Sequence, residues 1–206
     1  MSPLLLSFVS GFVDAAVFVA MGGLFVAHVT GNFVLLGATV VGAEVAGHSA
    51  TTSALQLISF PIFFAGAFLA ARIARIRAGR SSTRLLLWIT AAIIAAAAVP
   101  GLFVADAAAP QTMGFAFAMG VLNAAHRLDG SMGPPFTVMT GNVTGLAVRA
   151  AGVGAGQGKA GVTNIVLLVI AFALGCALGA LGNQLIGLAA MLVPSALMAL
   201  QLLIRR

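Results

Sequence analysis

Charged side chains are nearly missing from this chain: they make up 7% of its 206 residues, with four acids against ten lysines and arginines. The same chain is 61% hydrophobic, with a mean hydropathy of +1.14, and cannot present a polar surface to water. Bulk solvent is thereby excluded as its main surroundings. Cysteine is scarcer still: Cys176 stands alone, which excludes an intrachain disulfide and any cysteine-based metal cluster. There is no phosphate-binding loop, no zinc-ligand spacing, and no Ser/His/Asp set that a nucleophilic mechanism would require. The expectation is a protein that is not an enzyme, with no catalytic residues, no cofactor and no metal.

What the chain has is long apolar runs. Stretches near or above the roughly 18-residue spanning threshold begin near Leu4, Ser53, Leu85, Gln111, Val162 and Leu185. The first, reaching Met21, is read as a retained helix rather than a cleaved leader. A formal charge of +6 would point a soluble protein toward nucleic acid, but here it reports topology, and no nucleic-acid partner is expected. Arg72, Arg75, Arg77, Arg80 and Arg84 crowd one link between apolar runs, and basic links stay cytoplasmic. Arg205 and Arg206 place the C-terminus on the same side.

The chain is internally duplicated. Thr30-Gly31-Asn32 returns as Thr140-Gly141-Asn142, 110 positions later (140 − 30), and GFVDAA at 11–16 returns as GVLNAA at 120–125. Asp14 thus aligns with Asn123 at an offset of 109 (123 − 14). Phe63, Gly66, Leu69 and Ala71 match Phe172, Gly175, Leu178 and Ala180 at that same offset (172 − 63). The period is far too long for a solenoid, so the reading is one membrane domain, 1–206, made of repeat one at 1–107 and repeat two at 108–206.

Counting crossings decides the arrangement of the halves. Two shorter apolar stretches, 33–43 and 143–152, each follow a Thr-Gly-Asn. If both crossed, Arg149, Lys159, Arg205 and Arg206 would fall outside; if both dip in and return, all ten basic residues lie inside, with Glu44 and Asp106 outside. The second arrangement obeys the positive-inside rule. It gives three crossings per half and therefore inverts one half relative to the other. The expected fold is an all-α membrane protein: an inverted repeat of two halves, each with three transmembrane helices plus one re-entrant half-helix beginning at Thr-Gly-Asn.

Inverted repeats place their sites near the bilayer midplane. Non-helical backbone survives at that depth only when it is buried in protein or lines a wet cavity. The segments 22–29 and 128–137 read as such backbone: Gly22, Gly23, Gly130 and Gly133 permit unusual dihedrals, and Pro134-Pro135 forbids continuous helix. Thr30 and Thr140 are then helix N-caps, Gly31 and Gly141 allow close approach, and Asn32 and Asn142 each bring a donor and an acceptor. Two helix starts meeting at the midplane would favour an anion or a hydrogen-bond acceptor.

Asp14 lies inside the first span, where a carboxylate costs about 2.5–3.5 kcal/mol on insertion scales, and so faces a cavity or a partner. His28, two residues before the first motif, is positioned to pair with it as a titratable couple for proton coupling. Asn123, the counterpart of Asp14, cannot change charge. His126, Arg127 and Asp129 read as a solvated cluster at the cytoplasmic mouth, and Gly175, Gly179 and Gly182 as a packing seam in the bundle or a dimer. Each motif also has a plain reading, in which Thr-Gly-Asn only caps and packs a buried half-helix.

The pair HVTGN (28–32) and VMTGN (138–142), with G-x-x-D-A-A upstream of the first, resembles the YoaK-like family of bacterial membrane proteins over nearly the whole chain. The resemblance implies a compact bacterial inner-membrane protein and supplies no substrate. The first expectation for function is a channel or secondary transporter for a small solute or anion. Its midplane site comprises Thr30, Gly31, Asn32, Thr140, Gly141, Asn142, Asp14 and Asn123. The alternative is a non-transporting scaffold, or a lipid- or protein-binding module. Expected partners are the bilayer, an unidentified solute and a second copy of the chain, with both termini cytoplasmic.

Overall fold

The computed structural model describes residues 1–43, 49–77, 80–103, 108–132, 139–152 and 159–204, and these are almost entirely helical. Glu44, Asp106, Gly133, Pro134, Pro135, Arg205 and Arg206 lie outside the described residues. Helix α1 (Pro3–Met21) has a proline in its first turn, where a missing N–H costs nothing, and stops at Gly22, whose φ of 59° is left-handed. The Gly23 N–H reaches back to the Phe18 carbonyl at 2.9 Å and closes the helix end. There follow α2 (Gly31–Val40), α3 (Ala50–Ile76), α4 (Arg80–Ala98) and a short 3-10 segment (Val99–Leu102). The second half comprises α5 (Ala108–Leu128), a 3-10 turn (Gly130–Met132), α6 (Met139–Ala150), α7 (Lys159–Ile186), a second 3-10 segment (Gly187–Met191) and α8 (Leu192–Ile204).

Four stretches are long and apolar enough to cross a membrane: 3–21, 50–76, 82–102 and 162–204, the last holding both α7 and α8. The fourth apolar run of the sequence, α5, is not among them, although its 21 residues could span. Gln111, Thr112 and Asn123 lower its apolarity. Helix α5 tolerates them because it faces protein rather than lipid: α3 and α4 pack on it, and Phe115, Met119 and Leu122 are fully buried.

Two helix pairs are seated on glycine. A Cβ added at Gly175 would stand 2.1 Å from the Phe8 carbonyl oxygen, and one at Gly11 would stand 2.3 Å from that of Phe172, so α1 and α7 touch backbone to backbone. Helices α3 and α5 do the same, with Gly66 2.2 Å from the Phe117 oxygen and Gly120 2.1 Å from that of Phe63. Gly11 and Gly120, Gly66 and Gly175, Phe8 and Phe117, and Phe63 and Phe172 are all partners at the 109-residue offset (120 − 11). Each half therefore lays its first long helix against a long helix of the other half, by the same contact.

Hydrogen bonds fix which ends lie together. The Ser2 amide donates to Gln201 Oε1 at 2.9 Å, and Arg84 Nη2 donates to the Leu202 carbonyl at 2.7 Å, where a cation suits the negative end of α8. A cavity bordered by Arg75, Ser82 and Asp129 joins the end of α3, the start of α4 and the end of α5 at this basic end of the bundle. Helices α1, α4 and α7 run away from the basic end, and α3, α5 and α8 run toward it.

Helices α2 and α6 are peripheral. They pack on α3 and α7 respectively, and of their described side chains only Asn32 and Asn142 are buried.

Candidate functional site

Residues 22–30 leave α1 without regular structure, so each buried N–H and C=O among them needs a partner from elsewhere. Asp14, two turns back in α1, provides an acceptor for two consecutive amides. Its Oδ1 takes the Val26 N–H at 2.7 Å and the Ala27 N–H at 2.8 Å, and its Oδ2 lies 2.6 Å from His28 Nδ1. The Asp14 side chain is 5% exposed and that of His28 28%, so the imidazole stands between the carboxylate and the surroundings. His28 also sets its ring edge-on to Phe172 of α7, with centroids 5.3 Å apart. One turn further along α7, Cys176 Sγ borders Gly11.

Asn32 ties the same loop from its other end. Its Oδ1 accepts from the Phe25 N–H at 2.9 Å, and its Nδ2 donates to the Phe25 carbonyl at 2.8 Å and to Ser59 Oγ at 2.9 Å. Both amide protons are thus committed inside the fold, and the residue is 1% exposed. Thr30 does not cap α2 as expected. It flanks the helix in right-handed conformation, makes no side-chain cap bond and is exposed. The reason is local: the Asn32 and Phe33 N–H groups that a cap would bind are already taken by the Val29 and Thr30 carbonyls, so the loop's own turn replaces the threonine. Gly31 does meet a close neighbour, since a Cβ there would stand 2.9 Å from the Phe25 ring.

The remaining anchors come from α3, and the sequence reading did not weigh them. Thr52 Oγ1 donates to the Met21 carbonyl at 2.8 Å, Gln56 Nε2 to the Gly23 carbonyl at 2.7 Å, and Ser59 Oγ to the Gln56 carbonyl at 2.7 Å. The three stand at i, i+4 and i+7 and form one buried polar edge in an otherwise apolar helix. That spacing was the available signal.

Of the second motif the described residues show less, since 133–138 lie outside them. Thr140 and Gly141 are exposed within the first described turn of α6, and Asn142 is buried with Nδ2 4.0 Å from Met139 Sδ. Asn123 donates to the Met119 carbonyl of its own helix at 2.9 Å. Asn123 and Asn142 each make a further contact in the protein. Among the described residues no hydrogen bond joins 30–32 to 140–142. Asp14, His28 and Asn32 are brought together around one loop, whereas Asn123, Thr140, Gly141 and Asn142 belong to the other half. Among the described residues no three His, Cys, Asp or Glu side chains could hold a metal.

Since Asn32 uses its amide as donor and acceptor at once, Asn32→Asp is expected to destabilise about as much as Asn32→Ala. The expected cost is about 2–4 kcal/mol, from buried groups left unpaired. Thr30→Ala should change stability by less than about 0.5 kcal/mol. Thermal unfolding in detergent, followed by circular dichroism, checks the contrast. Equal effects at the two positions would remove the anchoring role of Asn32.

An all-helical bundle with apolar spanning stretches, organised around a buried carboxylate and an irregular loop, is an integral membrane protein. Over residues 3–204 it matches the family described as Protein of unknown function (DUF1275), and it belongs to that family. No curated protein matches the chain, and no solved structure does.

Proposed function

We propose that this protein is a bacterial inner-membrane secondary transporter for a small solute or anion, coupled to protons through Asp14 and His28. The observation that carries the proposal is the 2.6 Å contact of His28 Nδ1 with Asp14 Oδ2, in a loop hydrogen-bonded to both α1 and α3. A titratable couple inside a membrane domain is costly and is characteristic of proton relays. The glycine-seated pairs α1–α7 and α3–α5 act as two stiff blocks, and residues 22–30 straddle the seam between them. A proton arriving at the couple alters its hold on the loop, and thereby biases one block against the other.

Several facts support the inverted repeat and the re-entrant half-helix on which this reading stands. The long helices of the first half run away, toward and away relative to the basic end, and those of the second half run toward, away and toward. Asp14 is seven residues before the end of α1 and Ser59 nine residues into α3. The start of α2 therefore sits roughly 10–14 Å below the far end of the bundle, and its ten residues return about 15 Å. The basic end is taken as cytoplasmic. Any homodimer would have to use a face other than Gly175 and Gly179, which α1 occupies. The resemblance to YoaK-like proteins names no solute, and we read no enzymatic activity into the site.

The test is proton movement in proteoliposomes carrying an entrapped pH dye, challenged with inorganic anions and small neutral metabolites. At least one solute should drive proton flux through the wild type, and Asp14→Asn should abolish it. A pore would keep its solute flux in that variant. If no solute moves through folded wild type, the architectural reading stands instead. That reading is favoured by one observation, the complete internal use of the Asn32 amide.

A further inference from the structure

The cavity at the basic end is separate from the Asp14–His28 loop and has chemistry of its own. It measures about 450 Å³ and is bordered by Ala71, Ala74 and Arg75 of α3, Ser82 and Thr83 of α4, Leu128 of α5, and Asp129 and Gly130 beyond it. That volume falls within the roughly 300–1,000 Å³ of small-molecule sites. Its polar contribution is one guanidinium, two hydroxyls and the carboxylate of Asp129, a lining that carries both signs of charge. Arg75 stands one residue before the end of α3, Thr83 in the first turn of α4 and Leu128 at the end of α5. The cavity therefore opens where the apolar spans end, at the level of lipid headgroups.

What leads into it decides the kind of ligand. Phe60, Phe64, Phe68 and Ala71 precede Arg75 on α3 at spacings of four, four, three and four, so they share one helix face. All are exposed, Phe64 by 61% and Phe68 by 58%, and those two rings stack with centroids 6.3 Å apart. An outward apolar ridge thus runs without a break into a pocket of mixed charge. A soluble solute has no use for the ridge; an acyl chain does.

We infer that this cavity binds the headgroup of a zwitterionic phospholipid, phosphate on Arg75 and the Ser82 and Thr83 hydroxyls, ammonium on Asp129, with an acyl chain along Phe64 and Phe68. Arginine is the side chain suited to phosphate because its planar fork can donate two parallel hydrogen bonds. Ser82 and Asp129 each also make a contact within the protein, and a hydroxyl or a carboxylate has capacity for a second partner. The carboxylate disfavours a headgroup that carries only negative charge, so a primary-amine phospholipid is selected over an anionic one. This inference does not depend on the transport reading.

The experiment is native mass spectrometry of the full chain in detergent, titrated with palmitoyl-oleoyl phosphatidylethanolamine and, separately, phosphatidylglycerol. The wild type should hold the ethanolamine lipid about fivefold more tightly. Arg75→Gln should weaken both lipids about tenfold, Arg75→Lys should fall between, and Asp129→Asn should erase the preference. Arg72→Gln, an exposed neighbour outside the cavity, should change neither lipid by more than about twofold. Circular dichroism confirms that each variant is folded. Equal affinity for the two lipids in the wild type overturns the proposal, as does an Arg72→Gln loss matching that of Arg75→Gln. So does free phosphoethanolamine raising the thermal midpoint as far as the intact lipid, because the site would then serve a soluble ligand.

Discussion

Gly175→Ala should lower the thermal midpoint of this protein in detergent sharply, by an amount equivalent to about 3 kcal/mol or more, the upper end of what overpacking costs. The new methyl would stand 2.1 Å from the Phe8 carbonyl oxygen and 3.0 Å from the Phe12 nitrogen, and both are backbone atoms that cannot rotate away. Relief requires α1 and α7 to separate, and that parts the whole interface, including the Gly179 contact with the Phe12 carbonyl and the Ser7 hydroxyl's bond to the Leu168 carbonyl. Gly11→Ala acts on the same interface, so the double variant should cost clearly less than the two single losses combined. Gly66→Ala acts on the α3–α5 pair, and with Gly175→Ala its cost should add. Gly37 and Gly145, in the middle of α2 and α6, have nothing within 4 Å of an added Cβ. Alanine there should be neutral or stabilise by up to about 1 kcal/mol through helix propensity. A Gly175→Ala midpoint within a degree of the Gly37→Ala midpoint would mean that the two helices do not meet as closely as described.

These contacts show how far the sequence could be read. The 109-residue offset is visible in the letters, because the glycines where backbones touch recur at it. Which glycine meets which carbonyl is not visible, since that depends on how the halves dock. Helix α1 could be bounded to within a residue, because Gly22-Gly23 closes it chemically. Helix α5 read as one more apolar run, and only its central place among α3 and α4 explains why Gln111 and Asn123 are tolerated there. Thr30 matched the cap preference, but local carbonyls had already taken the amides it would have bound. Thr52, Gln56 and Ser59 stand outside the repeated motifs, and Gln56 and Ser59 align with apolar Ile165 and Leu168 at the same offset (165 − 56). The α3 side chains that anchor the loop have no polar counterparts at that offset, so the symmetry of the repeat does not reveal them.

That asymmetry makes Asp14 the position where anchoring and proton coupling can be told apart. Asp14→Ala removes the acceptor of two buried N–H groups, those of Val26 and Ala27, together with the partner of the His28 ring. At about 1–3 kcal/mol for each orphaned group, the loop should lose several kcal/mol of local stability. Amide exchange at residues 22–30 should then quicken well before α5 is affected. Asp14→Asn behaves otherwise. Its side-chain oxygen still accepts from Val26 and Ala27, and its amide can donate to His28 Nδ1 once the neutral ring carries its proton on Nε2. The asparagine variant should therefore keep near-native exchange at 22–30, within about 1 kcal/mol of the wild type. Coupled flux in the same variant then bears on function alone. Lost flux with a protected loop assigns the carboxylate a proton-handling role. Full coupled flux with a protected loop reduces Asp14 to an anchor, and the transport proposal would then lose its coupling residue.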